Sequence, residues 1–181
     1  MLQLVIQDAE LYDERTSRFV SVKGQTLQLE HSLVSLSKWE SKWKKPFLQD
    51  IPKTGEEIVD YIRAMTITQN VNPMVYQLIT QKHVDQVMAY INDPMTATTI
   101  KKKEGSGRSR QIMTSEVIYY YMTAYQIPFD PCQKWHLNRL MMLINVCDEK
   151  NATPKKMGKK QTAMSNHSLN AARRSRMHTR G

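Results

Sequence analysis

Beyond Lys150 the sequence stops supplying the side chains from which a protein core is built. Residues 150–181 contain no Ile, Val, Phe, Tyr or Trp, and only Leu169 and three methionines offer large apolar surface. The same segment holds nine Lys and Arg and no acid, whereas residues 1–149 balance 17 basic residues against 17 acidic ones. The formal charge of +9 therefore belongs to the tail, and the body is neutral. Such a tail cannot bury enough area to offset an ordering entropy of roughly 1–2 kcal/mol per residue. The expected organisation is one globular body over 1–149, close to the ~100–150 residues common for a domain. A basic flexible tail, extended or marginally helical, follows over 150–181. A large multidomain enzyme is not expected at this length.

Within the body, residues 1–30 are expected to be β-rich. Leu2–Ile6, Phe19–Val22 and Thr26–Leu29 read as strands, with Asp13, Glu14 and Lys23-Gly24 as turn residues. Leu27 and Leu29 alternate with Thr26, Gln28 and Glu30, the period of a half-buried strand in a small antiparallel sheet.

After Glu30 the period becomes helical. Leu33, Leu36, Trp39 and Trp43 share one face, Ser37 and Glu40 have capping-box spacing, and Pro46 ends the segment. Thr54-Gly-Glu-Glu57 is a cleaner capping box before Ile58, Val59, Ile62 and Met65. Asn72-Pro73 opens a short helix, and Val84, Val87, Met88 and Ile91 form a stripe that stops before Pro94. Thr96–Ile100 and Gln111–Met113 flank a basic Gly105-Ser-Gly107 stretch and read as a short β-hairpin. Ile118, Tyr121, Met122 and Tyr125 mark the next helix, and Pro131 begins a last one through Cys147 with Leu137, Leu140, Met141 and Ile144 inward. The fold class is α+β: a small N-terminal antiparallel sheet, a mostly helical body over 31–149 with one hairpin, and the basic extension.

The chemistry-bearing residues do not assemble into a complete motif. Gly105-Ser-Gly107 lacks the Gly-Lys-Ser/Thr ending of a phosphate loop, and Glu56-Glu57 are better explained as first-turn carboxylates favoured by the helix dipole. Cys132 and His136 stand at i, i+4 in the expected last helix, but zinc needs three or four such ligands. A buried thiol beside a half-exposed imidazole is the favoured reading. Fifteen residues of helix hold Cys132 and Cys147 ~22 Å apart, too far for a disulfide, so both are expected reduced. No catalytic residue, metal or cofactor is expected. No window approaches the ~18–20 apolar residues of a membrane span, and the N-terminus turns acidic too early for a secretory signal.

What remains points to binding. The twelve methionines suit either core gap-filling or an adaptable apolar surface. Leu36, Trp39, Trp43 and Phe47, set among Lys38, Lys42, Lys44 and Lys45, read either as a partner-binding ridge or as core draped in lysine stems. Exposure decides between the two. Lys155, Lys156, Lys159, Lys160, Arg173, Arg174 and Arg176 offer the tail a nonspecific nucleic-acid contact or an acidic protein partner, without an aromatic residue for base stacking.

The order of segments carries a resemblance. A β-rich start precedes the run Leu29-Glu-His-Ser-Leu-Val-Ser-Leu-Ser-Lys-Trp-Glu-Ser-Lys-Trp-Lys-Lys-Pro-Phe47. Asp60-Tyr-Ile-Arg-Ala-Met-Thr66, Pro94-Met-Thr-Ala-Thr98, Lys134-Trp-His-Leu-Asn-Arg-Leu140 and Leu169-Asn-Ala-Ala-Arg-Arg174 follow. Over nearly the whole chain this resembles the tail assembly chaperones of tailed bacteriophages. The resemblance implies a non-enzymatic helper in the host cytoplasm that keeps the tape-measure protein soluble until tail-tube subunits polymerise around it. It gives the methionines and the tryptophan ridge a use in holding amphipathic helices. It leaves the basic tail unexplained, so a structural virion protein is the alternative, a head–tail connector or tail component whose arm touches DNA or an acidic subunit. A homo-oligomer is compatible with either.

Overall fold

Leucines at alternate positions fold the N-terminal segment. The computed structural model describes residues 1–13, 17–100, 111–152 and 159–177. In it β1 (Leu2–Val5) pairs antiparallel with β4 (Thr26–Leu29), setting Leu2 against Leu29 and Leu4 against Leu27. Leu4, Leu27 and Leu29 are fully buried, while Gln3 and Gln28 face out. Backbone at 65–67 extends this sheet: Glu30 N–H donates to the Met65 carbonyl at 3.0 Å and Ile67 N–H to that of Gln28 at 2.8 Å.

Between these strands lies a second two-stranded sheet, β2 (Ala9–Asp13) with β3 (Arg18–Val22), so the sheet expected over 1–30 is two separate antiparallel pairs. The strand Ala9–Asp13 was not anticipated: it lacks a clear apolar alternation and takes its conformation from its partner. Tyr12 and Phe19 face each other across it, ring centroids 5.2 Å apart and both exposed. The return to β4 passes Gly24, whose N–H donates to the Asp8 carboxylate at 2.7 Å.

The helices follow the expected stripes, with informative differences at their ends. α1 (Leu33–Trp43) is capped by Ser32 and Ser35, whose side chains each accept the other's backbone N–H, rather than by Ser37 and Glu40. It closes on Lys44 in the left-handed region at φ 55, with the Lys44 N–H donating to the Glu40 carbonyl at 2.8 Å. α2 (Gly55–Met65) begins at the expected Thr54/Glu57 box.

A 3-10 turn over Pro73–Leu78 opens on Asn72, and α3 (Gln81–Asn92) stops before Pro94. The hairpin expected over 96–113 does not form among the described residues: Thr96–Ile100 and Gln111–Met113 carry no strand, and its tip lies outside the described residues. β-branched character alone gives these flanks no ladder partner.

α4 (Ser115–Ala124) is followed by the short α5 (Phe129–Cys132) and by α6 (Leu137–Asn151). The single helix expected from Pro131 is thus broken. Before α6, Ser32 and His136 form an antiparallel bridge and the Leu137 N–H donates to the His31 carbonyl at 2.7 Å. These contacts to the α1 entry satisfy backbone groups that an uninterrupted helix would have satisfied internally. α1 packs on α2 and α4, and Leu33, Leu36, Ile62, Ile118, Met122, Leu137 and Leu140 are wholly buried in one core. Each such side chain contributes ~1.5–3 kcal/mol of burial.

The chain divides into two units, Met1–Glu149 and Lys150–Gly181. In the second, α7 (Lys159–Met177) is a helix of 19 residues. It is more helical than the absence of a core suggests. Between Lys159 and Met177 there is neither Gly nor Pro, and Ala, Leu, Met, Lys, Arg and Gln are all good helix formers. Among the described residues no helix is long and apolar enough to cross a membrane.

Candidate functional site

The tryptophan ridge is interior. Leu36 is inaccessible, Trp39 is 2% exposed and Phe47 9%, with Trp43 partly buried, so the reading of these four as a partner-binding surface is corrected to that of a core seam. Its cause is α2, which presents polar acceptors where the indoles arrive. Trp39 Nε1–H donates to the Glu57 carbonyl at 2.8 Å and Trp43 Nε1–H to Asp60 Oδ2 at 2.9 Å. Phe47 stacks on Tyr61, ring centroids 3.7 Å apart.

The lysines lie over this seam rather than beside a free ridge. Lys42 pairs with Asp60 and sits over the Trp43 ring, and Lys45 pairs with the buried carboxylate of Glu57. The Lys45 hydrogen bond and the Thr54 backbone N–H hold the Glu57 carboxyl below its ordinary range. Partial burial works to raise Asp60, but Lys42, Trp43 and Arg63 outweigh it and hold Asp60 low as well.

Beyond Phe47 and Tyr61 an apolar cleft opens between the segment 47–53, α2 and α3, with a cavity volume of ≈ 420 Å³. Ile58, Ile62, Val84, Val87 and Ile91 line its interior. At its mouth Leu48, Ile51 and Met88 are 39%, 40% and 41% exposed, so apolar surface continues out of the cleft onto the body. Asp50, Lys53 and Asn92 also border it, and the Lys53 ammonium lies 4.9 Å from the Phe47 ring centroid. Of the four residues first expected to meet a partner, Phe47 borders this cleft. The stripe Val84, Val87, Met88, Ile91 was legible as one helix face; that part of it stays uncovered depends on how far the 47–53 segment reaches, which no periodicity encodes.

A second constellation joins residues that looked scattered. His31, just before α1, and His136, just before α6, stand with ring centroids 5.2 Å apart, and both are buried. The expectation of a half-exposed imidazole at His136 is thereby corrected; its ring lies edge-on to Tyr90, centroids 4.9 Å apart. Asn138 N–H donates to His136 Nδ1 at 3.3 Å, which assigns the ring proton to Nε2, and this donates to the Tyr90 carbonyl at 3.1 Å. The Asn138 amide donates to the Ile91 and Asp93 carbonyls at 2.8 and 2.7 Å, closing the end of α3.

His31 Nδ1 meets the buried Tyr61 hydroxyl at 2.6 Å. Burial, and then the neighbouring His136, push the His31 pKa down to about 3, and burial lowers His136 too. The pair therefore consists of neutral imidazoles that tie α1, α3 and α6 together. Among the described residues no group of three His, Cys, Asp or Glu is placed to hold a metal ion, and Cys132 and Cys147 are free thiols. Cys132 lies in α5 while His136 lies past the break before α6, so the i, i+4 helical relation between them does not exist.

In the second unit, Lys155 and Lys156 lie outside the described residues, Lys159 and Lys160 begin α7, and Arg173, Arg174 and Arg176 are exposed along its last turns. The comparisons add no relative to this geometry: no family model matches the chain, and no match was found among curated proteins or among solved structures.

Proposed function

We propose that the body is a non-enzymatic binding module that holds an apolar helical segment of another protein, and that it acts as a tail assembly chaperone whose client is the phage tape-measure protein. The observation that carries the reading is the cleft of ≈ 420 Å³ between the 47–53 segment and α3. Its volume alone also suits a small apolar ligand. Two features favour a helix. The apolar lining runs out of the cavity over Leu48, Ile51 and Met88 instead of closing above it. An amphipathic helix anchors through side chains at i, i+3 and i+4 along such a surface, and mixed charge at Asp50 and Lys53 matches the polar flanks it would carry. The tape-measure assignment comes from the sequence resemblance.

The test is co-expression with the tape-measure protein of the same genome, using wild type and the double variant Ile51→Glu, Met88→Glu. Both positions are at the cleft mouth, and urea denaturation of the variant shows that it is folded before capture is compared. Wild type should keep the partner soluble and co-purify with it, and the variant should lose most of that capture. An insoluble partner in the presence of wild type rejects the chaperone reading, and equal capture by the variant rejects the cleft as its seat.

A further inference from the structure

We propose that α7 is a binding element for double-stranded DNA that lies in the major groove and contacts phosphates on either side. The starting point is charge without neutralisation: residues 150–181 contain no acid, so none of their cations has an acidic partner within the segment. Charge runs are often only solvated, and the arrangement on the helix is what separates this one from a solubilising tail.

At about 100° per residue, Asn166, His167, Asn170, Arg173 and Arg174 fall within an arc of roughly 120°, flanked by Arg176. These side chains are exposed, and they are donors of the kind that meet phosphate oxygens. The other side of the helix carries the small residues Ser168, Ala171, Ala172 and Ser175 together with Met164, while Met177 falls within the donor arc and Leu169 between Arg173 and Arg176. A helix of this length spans about 28 Å, and a helix fits the ~12 Å major groove of B-form DNA.

The same register argues against an acidic protein as the partner. A helix that docks on a protein uses an apolar stripe. The large apolar residues Met164, Leu169 and Met177 point in three directions, each separated from the next by roughly 80° or more, and form no seam. Single strands are disfavoured as well, because the tail has no aromatic side chain on which an unpaired base would stack. Duplex RNA presents a major groove too deep and narrow for a helix. This inference is independent of the cleft and stands or falls without it.

The experiment is fluorescence anisotropy of the full-length protein with a labelled 25-base-pair DNA duplex between 50 and 200 mM NaCl. Four comparisons accompany it: Arg173→Gln with Arg174→Gln and Arg176→Gln, the charge-preserving Ala172→Pro, competition by polyglutamate of matched charge, and labelled single-stranded DNA and duplex RNA of the same length. Affinity should fall steeply with salt, at about 0.9 in the log–log slope for each phosphate neutralised, and the triple variant should flatten that slope by roughly two to three. Gln is a good helix former, so circular dichroism should change little in the triple variant. Ala172→Pro should weaken binding severalfold although no charge is lost, and polyglutamate should compete poorly. The proposal is overturned by absence of binding at 50 mM salt, by an unchanged slope in the triple variant, or by full affinity in Ala172→Pro. Displacement of DNA by polyglutamate charge for charge, or equal affinity for single-stranded DNA or duplex RNA, overturns it as well.

Discussion

Glu40 Oε2 accepts the Ser115 backbone N–H at 2.7 Å across 75 positions of sequence, and its other oxygen accepts the Phe47 N–H at 3.0 Å. One buried carboxylate thus caps the start of α4 and pins the turn that leads into the cleft wall. It compensates amides that would otherwise be buried without partners. Glu40→Gln offers one oxygen where two are needed and turns an NH₂ toward a donor. It should destabilise the fold by about 1–3 kcal/mol in urea denaturation and speed hydrogen exchange at the Phe47 and Ser115 amides. An unchanged midpoint contradicts this role.

Trp39 and Trp43 make the same bond to different effect. Trp39→Phe removes an N–H that adds to the helical bond of the Glu57 carbonyl and shrinks a ring that is 2% exposed, and should cost about 1–3 kcal/mol, mostly in lost packing. Trp43→Phe leaves Asp60 with Lys42 and Arg63, so its cost should stay below about 1 kcal/mol. Equal costs for the two, measured by chemical denaturation, would contradict this ranking.

The cap of α2 was legible because both partners of the box lie within four residues, Thr54 and Glu57. Spacing also put Trp39 and Trp43 on one face of α1, but periodicity names a face and not what covers it; the cover is α2. Glu40 has capping-box spacing from Ser37, yet its oxygens are taken by Phe47 and Ser115, and the cap falls to Ser32 and Ser35. His31 and His136 stood 105 positions apart and looked unrelated, because the bridge between the entries to α1 and α6 that brings them together is a tertiary event. Pro131 lies third in the four-residue α5 and does not open the main helix, which waits for Leu137.

Glycine substitutions separate a packed turn from an open one. A Cβ built at Gly24 meets the Ile6 carbonyl oxygen at 2.1 Å and backbone atoms of Gln7 and Asp8 at 2.5 and 2.8 Å. Backbone cannot swing aside as a side chain can, so Gly24→Ala should destabilise the body by about 1–3 kcal/mol or more. At Gly55, the first residue of α2, a Cβ meets nothing within 4 Å. Gly55→Ala should stabilise by about 0.4–1 kcal/mol through the lower entropy of the unfolded chain. Thermal midpoints moving in the same direction for the two variants would contradict the geometry.

The histidine pair makes stability depend on mild acid. In the fold the His31 pKa is pushed down to about 3, chiefly by burial, and that of His136 is lowered; both return to ~6.5 in the unfolded chain. A depressed histidine favours the neutral form in the fold, so between these values the unfolded state binds more protons and stability rises with pH. The contribution is complete above pH ~6.5 and is lost as pH falls below it, continuing for His31 down toward 3, at up to ~1.4 kcal/mol per pH unit per proton. Glu57 and Asp60 carry depressed carboxyl pKa values, so their losses come at lower pH. The window from pH 6.5 to 4.5 therefore isolates the imidazoles. Urea midpoints should fall through that window, and His31→Gln, although less stable at pH 7 for want of its bond to Tyr61, should show a shallower slope because it has lost the group that titrates furthest. A variant slope as steep as that of the wild type would assign the acid sensitivity elsewhere.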